Sequence, residues 1–219
     1  MTTIGDKPTR RRRTASRGPR LTARKLRRVC ATTLLALAVV GCSLFRGPPP
    51  VTYELTAPES IPQLRSGTAA QIMIPEPRAL KALDTERVVV ASGPTISYYP
   101  DVQLADRLPK VLQAKAIQAF EQSKRARAVG LPGEGLSIDY QLLIEIRSFQ
   151  FVSLGGSGFG RIEISAKILN DRNGRVVATK TLTSQTEVVS DDAPHVVAAV
   201  NTALNEVLVE LVRWTVGNV

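Results

Sequence analysis

Only two cysteines and one histidine occur among the 219 residues, and this scarcity restricts the chemistry available to the chain. Cys30 lies inside an apolar run near the N-terminus, and Cys42 follows that run. If the chain is cut immediately before Cys42, as argued below, Cys30 is removed and Cys42 becomes modified. The remaining domain then has no free thiol and no disulfide, which excludes thiol catalysis and cysteine-ligated metals.

The single histidine, His195, stands at the start of a predicted helix with no cysteine near it in sequence. A lone histidine in that setting gives little support for a metal site, so we interpret it as a surface residue. A Ser-His-Asp arrangement cannot be assembled around it with any specificity. We therefore expect no enzymatic activity, no cofactor and no metal.

A glycine-rich stretch, Ser153 to Gly160 (SLGGSGFG), could be read as a phosphate-binding loop. Such a loop would need a Gly-Lys-Ser/Thr ending or a strand–loop–helix context, and this stretch lies between two strand patterns. It predicts a hairpin loop. The functional alternative is a flexible contact loop in which exposed Leu154 and Phe159 touch lipid or a partner.

The chain also lacks an apolar run long enough to span a bilayer near its N-terminus. Residues 29–40 (VCATTLLALAVV) form an uncharged run of 12 residues. A transmembrane helix needs about 20 apolar residues, whereas the core of a signal peptide needs about 7–15. The run therefore predicts an export signal that is removed, rather than a membrane span.

Positive charge is confined to the segment before this run. Residues 1–41 contain 11 Lys or Arg and one acid, while residues 42–219 contain 18 basic and 18 acidic residues. A basic arm for nucleic acid is the alternative. An apolar core directly after the basic segment favours a signal peptide, and we expect no nucleic-acid partner. Arg27 and Arg28 leave twin-arginine export open, although the residues around them do not otherwise resemble such a signal.

The stretch Val39-Val40-Gly41-Cys42 resembles a bacterial lipobox, in which a small residue precedes a cysteine that carries a diacylglyceryl group. We therefore predict residues 1–41 as signal peptide and Cys42 as the lipidation site, with attached fatty acid such as palmitate. Two acyl chains suffice for stable membrane anchoring. Residues 42–50 contain three successive prolines and predict an extended tether.

Residues 51–219 predict one domain with four strand patterns before the first helix: residues 51–56, 71–74, 87–91 and 96–99. Pro100 is expected to end the last of these. An apolar stripe from Leu104 to Phe120 indicates a helix in which Pro109 either introduces a kink or begins the main portion.

The second half predicts an antiparallel meander followed by a long helix. The strand patterns cover residues 138–152, 161–169 and 175–189, with a hairpin turn at residues 170–174. The phase of the first pattern is ambiguous around Ser148. Residues 194–215 form the helix, capped by Asp191 and Asp192. We predict an α+β fold: a mainly antiparallel sheet with two long helices on one face and the other face partly exposed.

Two acids in the meander, Glu145 and Glu163, could form a carboxylate pair on neighbouring strands. The alternation places them on the polar face, with Arg147 and Arg161 close by. We predict a cross-strand ion pair rather than acid–base catalysis.

As a whole, the pattern resembles one family, the auxiliary lipoproteins of ABC-type transport systems, which accompany MCE-type lipid-transport machines in Gram-negative envelopes. The resemblance runs from about Val51 to the C-terminus and depends on the order and spacing of several short stretches. Besides the lipobox, these are residues 53–55, 74–77, 83–90, 98–99, 104–109, 119–121, 139–142, 173–178 and 211–215.

The family resemblance implies a non-enzymatic accessory of an ABC permease, an ATPase and an MCE-domain protein, with phospholipid or a related hydrophobic cargo. In such proteins Ser43, following the cysteine, implies release to the periplasmic face of the outer membrane. Only Cys42 is carried over as a site residue. The alternative is a structural or assembly lipoprotein of another envelope complex. Association with further copies of the chain is left open.

Overall fold

The computed structural model describes residues 49–62 and 67–219. In this part of the chain nine strands form one sheet. They are β1 Val51–Tyr53, β2 Gln71–Met73, β3 Arg78–Ala79, β4 Arg87–Ser92, β5 Thr95–Leu104, β6 Ala128–Gly130, β7 Tyr140–Ser153, β8 Gly158–Asn170 and β9 Val176–Glu187. Two helices accompany them, α1 Leu108–Ser123 and α2 Ala193–Val216.

Strand β7 organises the sheet because it is paired along both edges. Antiparallel β8 covers one edge for nearly its whole length, and β9 continues the meander beyond β8. The other edge is covered in turn by β2, β3 and β4, all parallel to β7. Strand β6 extends the sheet beyond β2, while β5 and β1 extend it beyond β4. The sheet is thus mixed, and its longest ladders are antiparallel.

The ambiguous phase around Ser148 is a β-bulge. The register with β8 shifts between Ile146 and Ser148. Before the bulge Leu142 and Ile144 are buried with Ile146, and after it the buried positions change to Phe149 and Phe151. One extra residue in a strand reverses the alternation, so the bulge keeps all five side chains in the core.

Helix α1 begins at Leu108, so Pro109 lies in its first turn rather than at a kink. Proline fits there because the first N–H groups of a helix have no intrahelical partner. Leu104, predicted in the helix, belongs to β5 instead. The helix ends where Lys124 adopts a left-handed conformation (φ 52°) and its N–H bonds to Glu121 O.

Helix α2 is the main cover of the meander. Its N-cap is Asp192, whose side chain accepts a hydrogen bond from the His195 backbone N–H at 3.1 Å. Leu204, Leu208 and Leu211 are fully buried. Among the described residues this helix alone is long and apolar enough to cross a membrane, but its apolar face packs against β8 and β9. Both helices contribute to one core with the sheet, as predicted.

Two further local predictions were wrong, and two short strands were missed. Pro100 does not end its strand, because β5 continues to Leu104. The pairing of β5 with β4 is irregular where residues 99–102 lie opposite Val88. Proline is tolerated in this irregular stretch because no backbone hydrogen bond to β4 is required of it. The glycine-rich loop is shorter than expected, since β8 already begins at Gly158. Strands β3 and β6 were not predicted, because two or three residues give no alternation to detect.

Candidate functional site on the open face of the sheet

The face of the meander opposite the helices is accessible and mostly polar. We call it the open face. Alternation along β7, β8 and β9 turns the buried aliphatic side chains toward the helices and the polar ones away from them. The polar positions paired across these strands are Glu145, Gln150, Arg161, Glu163, Ser165, Lys167, Thr179, Thr181, Thr183 and Gln185.

A groove of about 330 Å³ lies on the open face near the start of β7. One wall comes from the connection between β2 and β3, and the floor comes from β7 and β8. The lining residues are Pro75, Glu76, Arg78, Gln141, Leu143, Ile144, Glu145, Ser165 and Lys167.

The groove exists because the β7 edge is interrupted between β2 and β3. Strand β2 ends at Met73, and Ile74 donates its N–H to Gly130 O at 3.0 Å. Pro75 and Pro77 have no N–H to give to a ladder, so this segment leaves the sheet. Pairing resumes where Arg78 lies opposite Glu145.

The side of the groove near Glu76 is held by one arginine. Arg107 bonds to Glu76 at 2.7 Å and also bonds to Asp84. Hydrogen bonds to Glu76 and Asp84 raise the pKa of the Arg107 guanidinium above its ordinary value. This bridge connects the loop before α1 to the groove wall.

The start of β7 is fixed by Asp139. Its carboxylate accepts a hydrogen bond from Gln71 N–H at 3.1 Å and pairs with Arg172 at 2.9 Å. The Gln71 hydrogen bond first, and then Arg172, lower the pKa of Asp139 below its ordinary value. The same carboxylate therefore joins the β2 edge and the β8–β9 turn to the end of the groove.

Three charged groups in the groove are available to an external ligand. Within residues 49–62 and 67–219, Arg78, Glu145 and Lys167 form no ion pair with one another or with other described residues. Leu143 lies among them and is only partly buried. This charged, open lining differs from the mostly apolar, enclosing pockets that bind small molecules.

The structure forms neither the carboxylate pair nor the cross-strand ion pair that we predicted in its place. Glu145 lies opposite Ser165, and Glu163 lies opposite Ser148, so the two acids are not cross-strand partners. Glu163 pairs instead with Arg161 of its own strand at 2.9 Å. The prediction that the acids face solvent was right, but the ion pair runs along β8 because residues two apart share a face.

His195 is placed away from the groove, at the first turn of α2. Its ring Nδ1 lies 2.7 Å from Asp192 Oδ1, and about half of its side chain is exposed. Among the described residues there is no group of three or more His, Cys, Asp or Glu side chains that could hold a metal. The structure therefore brings the sole histidine to a helix cap and not to the groove.

Leu154 and Phe159 of the predicted contact loop have different environments. Leu154 is 66% exposed in the tight turn between β7 and β8. Phe159 belongs to β8 and is partly buried. Cys42 and the signal-peptide segment lie outside the described residues, as does most of the tether.

The sequence model of the family described as "ABC-type transport auxiliary lipoprotein component" matches residues 53–212, which include the whole groove. The chain belongs to this family. The match confirms the resemblance drawn from the short stretches. By its description, the members of this family are lipoproteins that assist ABC-type transport.

Similar proteins were found by sequence and by structure. An uncharacterized protein of Bradyrhizobium diazoefficiens is 34% identical over 168 residues, which are 76% of this chain and 45% of the relative. The chain thus spans less than half the length of that protein. A crystal structure from Xanthomonas campestris superposes with a TM-score of 0.71 at 29% identity, covering 77% of this chain and 96% of the other.

A third similar structure shows the fold alone. A hypothetical protein of Chlamydia trachomatis has a TM-score of 0.52 at 7% identity, covering 69% of this chain and 98% of the other. The α+β fold, with two helices on one face of the sheet, is therefore confirmed. The groove itself was missed from the sequence, although Ile74-Pro75-Glu76-Pro77 was the one local signal for it.

Proposed function

We propose that this chain is a lipid-anchored accessory of an MCE-associated ABC system that transports lipid or another hydrophobic compound. The observation that carries the proposal is the family match over residues 53–212, joined to a lipobox that ends at Cys42. In this account the protein stands at the periplasmic face of the outer membrane, where Ser43 after the lipidated cysteine would direct it.

The role of Cys42 is to hold the domain at the membrane. Its thiol would carry a diacylglyceryl group, and two acyl chains anchor a protein stably where one chain holds it only marginally. The proline-rich residues 42–50 would separate the domain from the bilayer. Loss of the thiol would remove the anchor and leave the folded domain unchanged, because Cys42 precedes the first strand.

The role of the domain is binding rather than catalysis. The groove offers Arg78, Lys167 and Glu145, none of them ion-paired within residues 49–62 and 67–219, beside the partly exposed Leu143. Charges around an apolar contact set the orientation and partner choice of an interface more than its affinity. We infer that this groove is where the MCE-domain partner docks, with the permease and ATPase held through that partner.

The experiment is a co-purification from cells. The full chain with a C-terminal tag is extracted from membranes with detergent, and the co-purifying proteins are identified by mass spectrometry. The Cys42→Ser form is the matched control. Recovery of an MCE-domain protein with its permease and ATPase would support the proposal. Recovery of a different envelope complex, or of no partner after crosslinking, would contradict it and favour a structural or assembly role.

A further inference from the structure

Apolar side chains gather at the end of the sheet where β7 finishes. The pairings Ile96–Ala91, Ala91–Val152 and Val152–Phe159 place four apolar residues in one row across β5, β4, β7 and β8. Paired residues share a face, so this row lies on one side of the sheet. Two exposed residues lie just past the row: Leu154 in the β7–β8 turn and Val189 after β9.

We call Ile96, Val152, Leu154, Phe159 and Val189 the apolar end. Ile96 is 55% exposed, Leu154 66% and Val189 89%. Val188 N–H bonds to Gly158 O at 3.0 Å, which brings Val189 beside the β7–β8 turn. Single exposed aliphatic residues are ordinary on a protein surface, but a group of them at one end of a sheet indicates a contact.

The turns at the two ends of the meander differ in charge. At the opposite end, the β8–β9 turn contains Asp171, Arg172 and Arg175, next to the exposed Val176 and Val177. By contrast, the turns at the apolar end, residues 93–94 and 154–157, contain no charged residue. An uncharged turn can be buried against lipid without the cost of desolvating a charge.

The chain enters the domain from the side of the apolar end. Val51 pairs with Val102, and β1 is parallel to β5. Because β5 begins near Ile96 and runs away from the apolar end, the residues before Val51 come from the direction of that end. Pro49 and Pro50 are both exposed.

The segment from Cys42 to Val51 is long enough for Cys42 to reach the apolar end of the sheet. Ile96 lies opposite Ala91 and Gln103 opposite Arg87, so the four residue steps of β4 between these pairs place Val102 at most about 13 Å from Ile96 along the sheet. The nine residues from Cys42 to Val51 span at most about 30 Å when extended. The tether is therefore long enough to bring the lipidated cysteine to the apolar end and about 15 Å past it.

We propose that the apolar end rests on the bilayer that holds the lipid anchor, with Leu154, Ile96 and Val189 among the phospholipid headgroups. This inference rests on the proposed anchoring through Cys42. The rim of this end carries acids, Glu187 with Asp191 and Asp192. These acids would repel anionic headgroups, so the contact depends on the apolar side chains. It favours zwitterionic phosphatidylethanolamine over anionic lipid.

This orientation places the groove away from the membrane. Glu145 and Val152 are seven residues apart on β7, which corresponds to about 20 Å along the strand. When the apolar end lies on the lipid, the groove therefore opens into the periplasm about 20 Å from the membrane surface. A soluble partner domain can then reach Arg78 and Lys167 without contacting the bilayer.

The test places one fluorescent probe at each end of the sheet. The full chain is prepared as the lipidated protein with Leu154→Cys or, as the control, Val177→Cys, which is 47% exposed at the opposite end. Each thiol is labelled with an environment-sensitive dye. The protein is reconstituted into vesicles of phosphatidylethanolamine and phosphatidylglycerol that contain nitroxide-labelled lipid.

We expect the nitroxide lipid to quench the probe at position 154 severalfold more strongly than the probe at position 177. Raising the phosphatidylglycerol fraction should not increase this quenching. Equal weak quenching at both positions, with protein still floating with the vesicles, would overturn the inference while leaving the anchor intact. A probe at 154 that is shielded from aqueous iodide but unquenched by lipid would indicate a protein occupant, and likewise overturn it. Failure to float would overturn the anchoring and the inference together.

Discussion

Gly160 of β8 lies directly against the backbone of helix α2 at Val200. A Cβ atom at position 160 would lie 2.7 Å from the Val200 amide nitrogen and 2.9 Å from the Ala199 carbonyl carbon. Real Cβ atoms do not approach other atoms this closely, so only glycine permits the observed crossing of helix and strand. The contact sets how α2 covers the meander, and hence how the open face is supported.

Replacing Gly160 with alanine should destabilise the domain. The obstructing atoms belong to the backbone of α2, which cannot move aside as a flexible side chain would. We expect Gly160→Ala to lower the free energy of unfolding by about 1–3 kcal/mol, the range for overpacked cores. Urea denaturation followed by circular dichroism measures this change.

Gly217→Ala is the matched control for that substitution. Gly217 ends α2, and its nearest atom would be Arg213 O at 3.4 Å, an ordinary contact distance. We expect its effect to stay within about 0.5 kcal/mol. Equal effects at positions 160 and 217 would show that the close approach of α2 to β8 is not what makes glycine necessary.

The cap of α2 should make part of the stability depend on pH. The hydrogen bond from the His195 side chain is the main cause that lowers the pKa of Asp192 to about 2. A carboxyl whose pKa is lower in the folded state stabilises the fold above its unfolded pKa of about 3.9. That contribution is fully present at pH 5 and is lost as the pH falls from about 4 to about 2.

Two substitutions at position 192 separate the cap from the charge. Asp192→Ala should lower the Tm at pH 6 by about 2–4 °C, because the His195 N–H loses its acceptor. Asp192→Asn keeps an acceptor and should lower the Tm less, and most of its difference from the wild type should be lost by pH 2, where half of the Asp192 carboxyl is protonated. A difference that stays constant between pH 6 and pH 2 would contradict the assigned pKa.

Charge in the groove should control partner capture. We expect the double substitution Arg78→Glu and Lys167→Glu to reduce co-purification of the MCE-domain protein at least roughly tenfold, since like-charge contacts across an interface cost several kcal/mol. Neither side chain is ion-paired within the described residues, but the new carboxylate at position 78 would face Glu145, so we expect the Tm to fall slightly. Quantitative mass spectrometry of the captured proteins gives the ratio.

Lys110→Glu serves as the control for the groove variant. Lys110 lies on α1, about half exposed, with only a 3.7 Å contact to Asp106. Exposed pairs of this kind contribute little to stability. The control should capture as much partner as the wild type. Equal losses in both variants would indicate a nonspecific effect of net charge instead of docking in the groove.

Features that depend on nearby residues could be predicted from the sequence. The Asp192 cap, the Asn170–Gly174 turn and the long alternation of β7 are local, and each is confirmed. The bulge in β7 could also be detected in the sequence, because the alternation of apolar residues changes phase at Ser148. Pro100 was misread because its effect depends on the irregular pairing of β5 with β4, which alternation alone does not reveal.

The groove could not be predicted because it depends on pairings between distant segments. Arg78 meets Glu145 only through the parallel pairing of β3 with β7, and β3 has two residues. Gly160 likewise looked like a loop glycine, since its need for close approach comes from α2, forty residues further along the chain. Periodicity reports which face a residue lies on, but not which strand becomes its neighbour.

Photocrosslinking inside living cells tests the central claim most directly. A photoreactive amino acid is introduced at Leu143 in the groove and, separately, at Lys110 on the helix side, in the lipidated full chain. The account predicts that irradiation joins position 143, but not position 110, to an MCE-domain protein of the envelope. Crosslinks from position 143 to an unrelated envelope complex, or equal crosslinking from both positions, would contradict it.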